Sequence, residues 1–268
     1  MEKTIRNHYD SIEGLRELPE PTNETNLGIF KSACLGNGHD KNWFGPKNET
    51  PEQVKELCRT GWQYGVNEAE KMRDQISLPV MESLKRKIIK GNQGDFLDIH
   101  KVNRGQLDIA WTKKRRSSSR GPRRFQLICK LGGSCFLSGI QLLWRGVACL
   151  ALAQALIEAG NSVEIIGFNN TKRVYLDGTN IMNTVQIKEY STPFDINALT
   201  TVIGLSGFYR YYMFLARLQL DKEASYGLGH SADEPPKIES GQAKQIVIPH
   251  DLLEKSAVVN YLKTVDVS

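Results

Sequence analysis

The stretch FQLICKLGGSCFLSG, residues 125–139, runs an apolar segment into a glycine pair and then into a serine and a cysteine. In α/β proteins the loop beyond the carboxyl end of a core strand is where ligands bind, so Gly132, Gly133, Ser134, Cys135 and Ser138 are the first residues to test for chemistry. Phosphate binding would require Lys and then Ser or Thr directly after the glycine that opens a helix, so that ammonium and hydroxyl meet phosphate and magnesium. Here Ser134-Cys135 follows Gly133, and Ile140-Gln141 follows Gly139. A strained nucleophile elbow would require G-x-S-x-G, and the fifth position is Phe136. His230 and His250 are the downstream bases that a Ser134 or Cys135 hydrolase would have to recruit. The five cysteines include no CxxC pair and the five histidines are scattered, which argues against a structural zinc site. No covalent step is assigned to any residue, and a hydrolase ranks last among the readings below.

The elements that must position this loop are legible. FQLICKL predicts a strand, and a helix follows with Ser138 placed to cap its start and Gly160 to close its end. Its middle, GVACLALA, has no polar side chain on any face, so it must be covered on most sides. Val163 to Phe168 predicts a second strand. Strand, helix and strand make a βαβ unit, whose strands are parallel. A hairpin is expected around Asp177-Gly178, then helices in PFDINALTTVIGLSGFYRYYMFLARLQLD with Ser206 a cap, a strand in QIVIP and a closing helix in DLLEKSAVVNYLK. The aromatic run GFYRYYMF reads as a core helix. This succession predicts an α/β fold with one mostly parallel central sheet flanked by helices over residues 96–268.

Residues 1–95 read as an N-terminal arm and helical extension. Its first part, around PEPTNETN, predicts an extended or weakly ordered lead with a short helix near Ser11 to Leu18. Thr50, Pro51 and Glu52 then open a helix that continues or doubles back after Gly61.

Charge is unevenly distributed. The chain carries +5 overall, but residues 85–124 hold thirteen Lys and Arg against three acids. Its densest part, TKKRRSSSRGPRR, predicts a flexible loop. Lys113, Lys114, Arg115, Arg116, Arg120, Arg123 and Arg124 are the residues a nucleic-acid accessory protein would use to neutralise phosphates, although no reading helix or stacking motif accompanies them. The longest apolar stretch, Gly146 to Ile157, falls short of a bilayer span, and MEKTIRNHYD lacks the apolar run of a signal peptide. An odd cysteine count, with Cys129, Cys135 and Cys149 in segments read as buried, fits a reducing compartment. A cytoplasmic protein with no membrane partner is expected.

The segment LICKLGGSCFLSGIQLLWRGVACLALAQALIEAGNSVEIIGFNN resembles the first strand, helix and second strand of von Willebrand factor A-type domains, in the ALA, LE and G of the helix and in VEIIGF. Members of that family end the first strand with D-x-S-x-S, which holds magnesium together with a later Thr and Asp. The corresponding residues here, Leu131 to Cys135, are L-G-G-S-C. The resemblance therefore implies the scaffold with a degenerate metal site, no cofactor, and a non-catalytic module that docks a macromolecule, a protein, at the loop-rich end of the sheet. Gly132, Gly133, Ser134, Ser138, Asp177 and Asp195 are the candidate contact residues, with Asp177 and Asp195 the remaining carboxylates that could approach the loop. Trp43-Phe44-Gly45, Gly61-Trp62 and Arg145-Gly146-Val147-Ala148 also resemble, more loosely, an uncharacterised family encoded by phages and mobile elements.

Overall fold

The structure is a computed structural model and describes residues 3–35, 42–47, 49–74, 87–91, 93, 96–115, 123–172, 178–220, 231–239 and 241–267. Its elements in chain order are β1 (Thr4–Tyr9), α1 (Ile12–Arg16), α2 (Glu24–Leu35), α3 (Pro51–Thr60), α4 (Gln63–Asp74), β2 (Lys87–Gly91), β3 (Phe96–Leu97), α5 (Ile99–Val102), β4 (Trp111–Arg115), β5 (Arg124–Lys130) and α6 (Gly139–Glu158). They continue with β6 (Ser162–Lys172), β7 (Asn180–Lys188), α7 (Ile196–Gly204), a helix α8 over residues 206–220, β8 (Lys244–Val247) and α9 (Lys255–Thr264).

The βαβ unit forms as its sequence predicts. β5 and β6 pair in parallel, with Phe125 beside Val163 and Lys130 beside Phe168. Ser138 and Gln141 close a capping box at the start of α6, each side chain accepting from the other's backbone N–H. At the other end Gly160 adopts φ +82, and the N–H groups of Gly160 and Asn161 reach back to the carbonyls of Ile157 and Leu156. Fourteen of the 20 residues of α6 are buried, so the helix needs cover on nearly every side; β5, β6, α4, α7 and α9 supply it. Among the described residues α6 is the one helix long and apolar enough to cross a membrane, and its burial makes it the core helix instead. Gly146 lets α7 approach closely, since a Cβ there would stand 2.6 Å from the Cα of Gly204.

The main sheet has the order β1-β7-β6-β5-β8. β6 and β7 form an antiparallel hairpin, while β5–β6, β5–β8 and β1–β7 are parallel. This is a mixed α/β fold with a mostly parallel sheet flanked by helices. Two features depart from expectation. The lead segment supplies the edge strand β1, where an extended or weakly ordered lead was expected. It stays in place because its backbone pairs along all six residues with β7 and His8 Nδ1 lies 2.9 Å from Thr184 Oγ1. The residues expected to form the basic loop are partly strand: β4 pairs antiparallel with β2 and β3 in a separate three-stranded sheet, and Arg124 opens β5.

The helical extension is a hairpin. Thr50 and Gln53 form the capping box of α3, and Gly61 at φ +87 turns the chain into α4. Val54, Trp62, Val66, Ala69 and Met72 are buried, and α4 lies on α6 and α7. GFYRYYMF is core, with a π-helical stretch at Tyr209–Met213 inside α8. Ser206 does not cap it through its side chain; its hydroxyl donates to the Trp43 carbonyl at 3.0 Å.

Candidate functional site at the carboxyl end of the main sheet

Three segments meet beyond the carboxyl ends of the parallel strands β5 and β8: the loop 131–138, the turn after β8, and the extended stretch 231–238. Two fully buried arginines tie down the loop and the turn after β8. Arg145, on the second turn of α6, donates through Nη2 to the Gly132 carbonyl at 2.6 Å and through Nη1 to the His250 carbonyl at 3.3 Å. Arg210, in the π-helical stretch, donates to the carbonyls of Leu137 at 2.5 Å and Trp43, and stacks 3.5 Å over the Trp43 ring. A guanidinium is a fixed fork of donors, so each arginine ties two chain segments at once. The loop is further packed by Tyr209, whose hydroxyl donates to the Gly133 carbonyl at 3.4 Å and whose ring leaves no room for a Cβ at Gly132. Burial pushes the Tyr209 pKa up to about 12, so the hydroxyl stays a donor.

Lys130, at the end of β5, is buried and its Nζ lies 2.5 Å from Asp233 Oδ1. The other carboxylate oxygen stands 3.5 Å from His250 Nε2. For Lys130 the loss of water outweighs the attraction of Asp233, and its pKa falls below the usual lysine value. Burial alone would raise the Asp233 carboxyl, but this side chain is half exposed, and the Lys130 hydrogen bond and charge, with His250 and Arg145 behind, hold it below its usual value.

Within this frame the loop presents two kinds of residue. Ser134 and Ser138 are half-buried and turned to the loop's own backbone: Ser134 Oγ accepts from the Phe136 N–H at 3.3 Å, and Ser138 caps α6. Cys135 and Phe136 point outward, Phe136 with 92% of its surface exposed. Cys135 was expected in a buried segment; the tight turn after Gly133 carries it to the surface instead, while Cys129 and Cys149 are buried.

The predicted contact residues divide accordingly. Gly132, Gly133, Ser134 and Ser138 share the loop. Asp195 does not approach it: its carboxylate accepts from the N–H groups of Asn197 and Ala198 at the start of α7. The far end of that helix leads to Ser206, which lies against Gly139, so about 14 Å of helix separates Asp195 from the loop. Asp177 lies outside the described residues, as do Arg116, Arg120 and His230. Lys113, Lys114 and Arg115 belong to β4, whereas Arg123 and Arg124 stand at the opposite end of β5 from the loop, Arg124 placed 5.5 Å over the Tyr190 ring. Neither Ser134 nor Cys135 is hydrogen-bonded to a histidine among the described residues, and no group there of three or more His, Cys, Asp or Glu could hold a metal ion.

The sequence profile of a family described as a domain of unknown function (DUF7192) matches residues 1–266. The chain belongs to the DUF7192 family. No curated protein and no solved structure matches it.

In this DUF7192 chain the residues that build the site and escaped sequence reasoning are Lys130, Asp233, Arg145 and Arg210. Lys130 and Arg145 had a local signal, since each is a charge within an otherwise apolar strand or helix. Asp233 had none, lying in a Pro-rich stretch that looks like any surface loop.

Proposed function

We propose that this protein is a non-catalytic binding module of von Willebrand A-like architecture, docking a protein partner in the cytoplasm through the loop 131–138 without a metal ion. The observation that carries this reading is Phe136, an almost fully exposed aromatic on a loop whose backbone is tied down by Arg145, Arg210 and Tyr209. A preorganised loop gives up little entropy on binding, and covering a phenylalanine contributes about 1.5–3 kcal/mol. Metal independence follows from the donor set. The strand end holds the cations Lys130 and Arg145, and the nearby carboxylate, Asp233, is engaged by Lys130, so a further cation would meet repulsion rather than ligands. Origin in a phage or mobile element belongs to the same proposal, and the genes neighbouring this one check it.

A photo-crosslinking amino acid placed at Phe136 tests the reading in cells, with Lys263 as control. Lys263 is exposed near the end of α9, beside Asp266, which pairs with Lys244 at the opposite end of the sheet. A single discrete adduct from position 136, unchanged by chelator and absent from position 263, is the expected result. Equal labelling from both positions, or an adduct that chelator abolishes, overturns the proposal.

A further inference from the structure

The face of the main sheet turned away from α6 carries a cleft of its own. β7 sends Val185 and Ile187 into the helix-covered core, so by the alternation of a strand Met182 and Thr184 face the other side. β1 runs parallel beside it, with Arg6 level with Met182 and His8 level with Thr184, and these four residues make a floor. Pro236, Lys237 and Ile238 make the wall, and the cleft between them has a volume of about 240 Å³.

Both sides are held in place. The Thr184 hydroxyl donates to the Asn7 carbonyl at 3.2 Å, so it accepts from His8 Nδ1–H at 2.9 Å, and the imidazole is fixed with Nε2 3.6 Å from Asp10. The wall is tied on either side of Pro236. The Ala232 N–H donates to the Asn170 carbonyl at 2.8 Å and Asn170 Nδ2 to the Glu234 carbonyl at 3.3 Å, while Gln245 Nε2 donates to the Ile238 carbonyl at 3.2 Å. A ligand entering such a cleft finds its walls already ordered.

The lining is one-sided in charge. Arg6 from the floor and Lys237 from the wall are exposed cations; among the described residues neither has an ion pair, and no Asp or Glu lines the cleft. Met182 and Pro236 are buried and Ile238 is half-buried, so the same space has an apolar side. Cations beside an apolar wall call for an anion with a hydrocarbon body, and a guanidinium takes a carboxylate in a two-pronged grip. Inorganic phosphate would use the cations and leave the apolar side wet. Volume sets the size: sites for drug-sized ligands run to about 300–1,000 Å³, so this one suits a short chain or a single terminal residue.

We infer that this cleft binds a carboxylate carrying a short aliphatic body, its oxygens on Arg6 and Lys237 and its hydrocarbon part on Met182, Pro236 and Ile238. A free short-chain acid and the last residue of a polypeptide present the same chemistry. No residue of the loop 131–138 lines the cleft, so its test does not depend on Phe136.

The experiment uses the full chain, isotope-labelled at its methionine methyls and observed by NMR, with M182L assigning the Met182 signal. Isovalerate is expected to shift that signal saturably, and isovaleramide, which lacks the charge, to leave it in place. R6Q and K237Q should each weaken isovalerate about tenfold, the loss of one charge-assisted hydrogen bond. Both positions are exposed, so an unchanged melting temperature shows that the variants fold. Peptides ending in Gly-Ser-Leu, with the carboxyl terminus free or amidated, separate the two sources. A free-ended peptide that binds more tightly than isovalerate assigns the cleft to chain termini, and one that binds more weakly assigns it to small acids. A Met182 signal that isovalerate does not move overturns the inference, as does an equal response to isovaleramide. So does inorganic phosphate that displaces isovalerate with equal affinity, or an affinity untouched in both variants.

Discussion

In the main body Arg145 and Arg210 lie in the core with their guanidinium groups donating to loop carbonyls, whereas in the three-stranded sheet Lys87 and Arg115 stand opposite each other with no acid in either strand. The chain is basic in both places, yet the charge has different work in each. A buried cation whose donors are filled by backbone oxygens is spent on shape and offers little to a ligand. A like-charge register pair such as Lys87 with Arg115 contributes nothing to the ladder that contains it. Net charge alone, +5 over the chain, would not have separated the two.

The contrast is most easily broken at Arg145. Replacement by Met keeps apolar volume but leaves the Gly132 and His250 carbonyls without their donor, and a loss of about 3–5 kcal/mol in urea unfolding is expected. A loss below about 1 kcal/mol would show that the guanidinium does not support the loop. A smaller effect sharpens the account of the Lys130–Asp233 pair. Asp233 is held below its ordinary pKa in the folded protein, so its stabilising contribution is complete above the ordinary carboxylate value and drains away as pH falls through the folded value. Asp233→Asn should therefore flatten the acid limb of the stability–pH profile, and an unchanged limb would show that the pair does not hold the 231–238 stretch. The smallest effect belongs to the other sheet. Lys87→Glu turns a like-charge register pair into an opposite one, and a gain of about 0.2–1 kcal/mol is expected, read as slower hydrogen exchange at Ile88 and Ile89 with the global melting temperature unmoved.

What the sequence revealed followed the range of the interactions involved. The strand 125–131, the Ser138 cap, the Gly160 terminator and the Thr50 cap were all readable because their causes lie within a few residues. β1 was not, because TIRNHY has little alternation of its own and is a strand only by virtue of a partner far along the chain. β4 was hidden by its charges: WTKKR is a poor strand in isolation and forms one against KIIKG. The site was half legible. The glycine pair and the two serines do share one loop, but the partners that shape it, Asp233, His250 and Arg210, converge from three separate segments that no local pattern connects. Asp195 was misread as available for the loop because an N-cap aspartate and a ligand aspartate look alike until the helix beside it is placed.

The pairing of β1 also sets a timetable. His8 and Thr184 meet across 176 residues of chain. At ordinary ribosomal speed roughly nine to thirty-five seconds elapse between the synthesis of one and the other. Throughout that interval the first strand must wait in water without aggregating, a task to which its arginine, asparagine and histidine are suited, and the rim of the sheet is closed only once most of the polypeptide has been made.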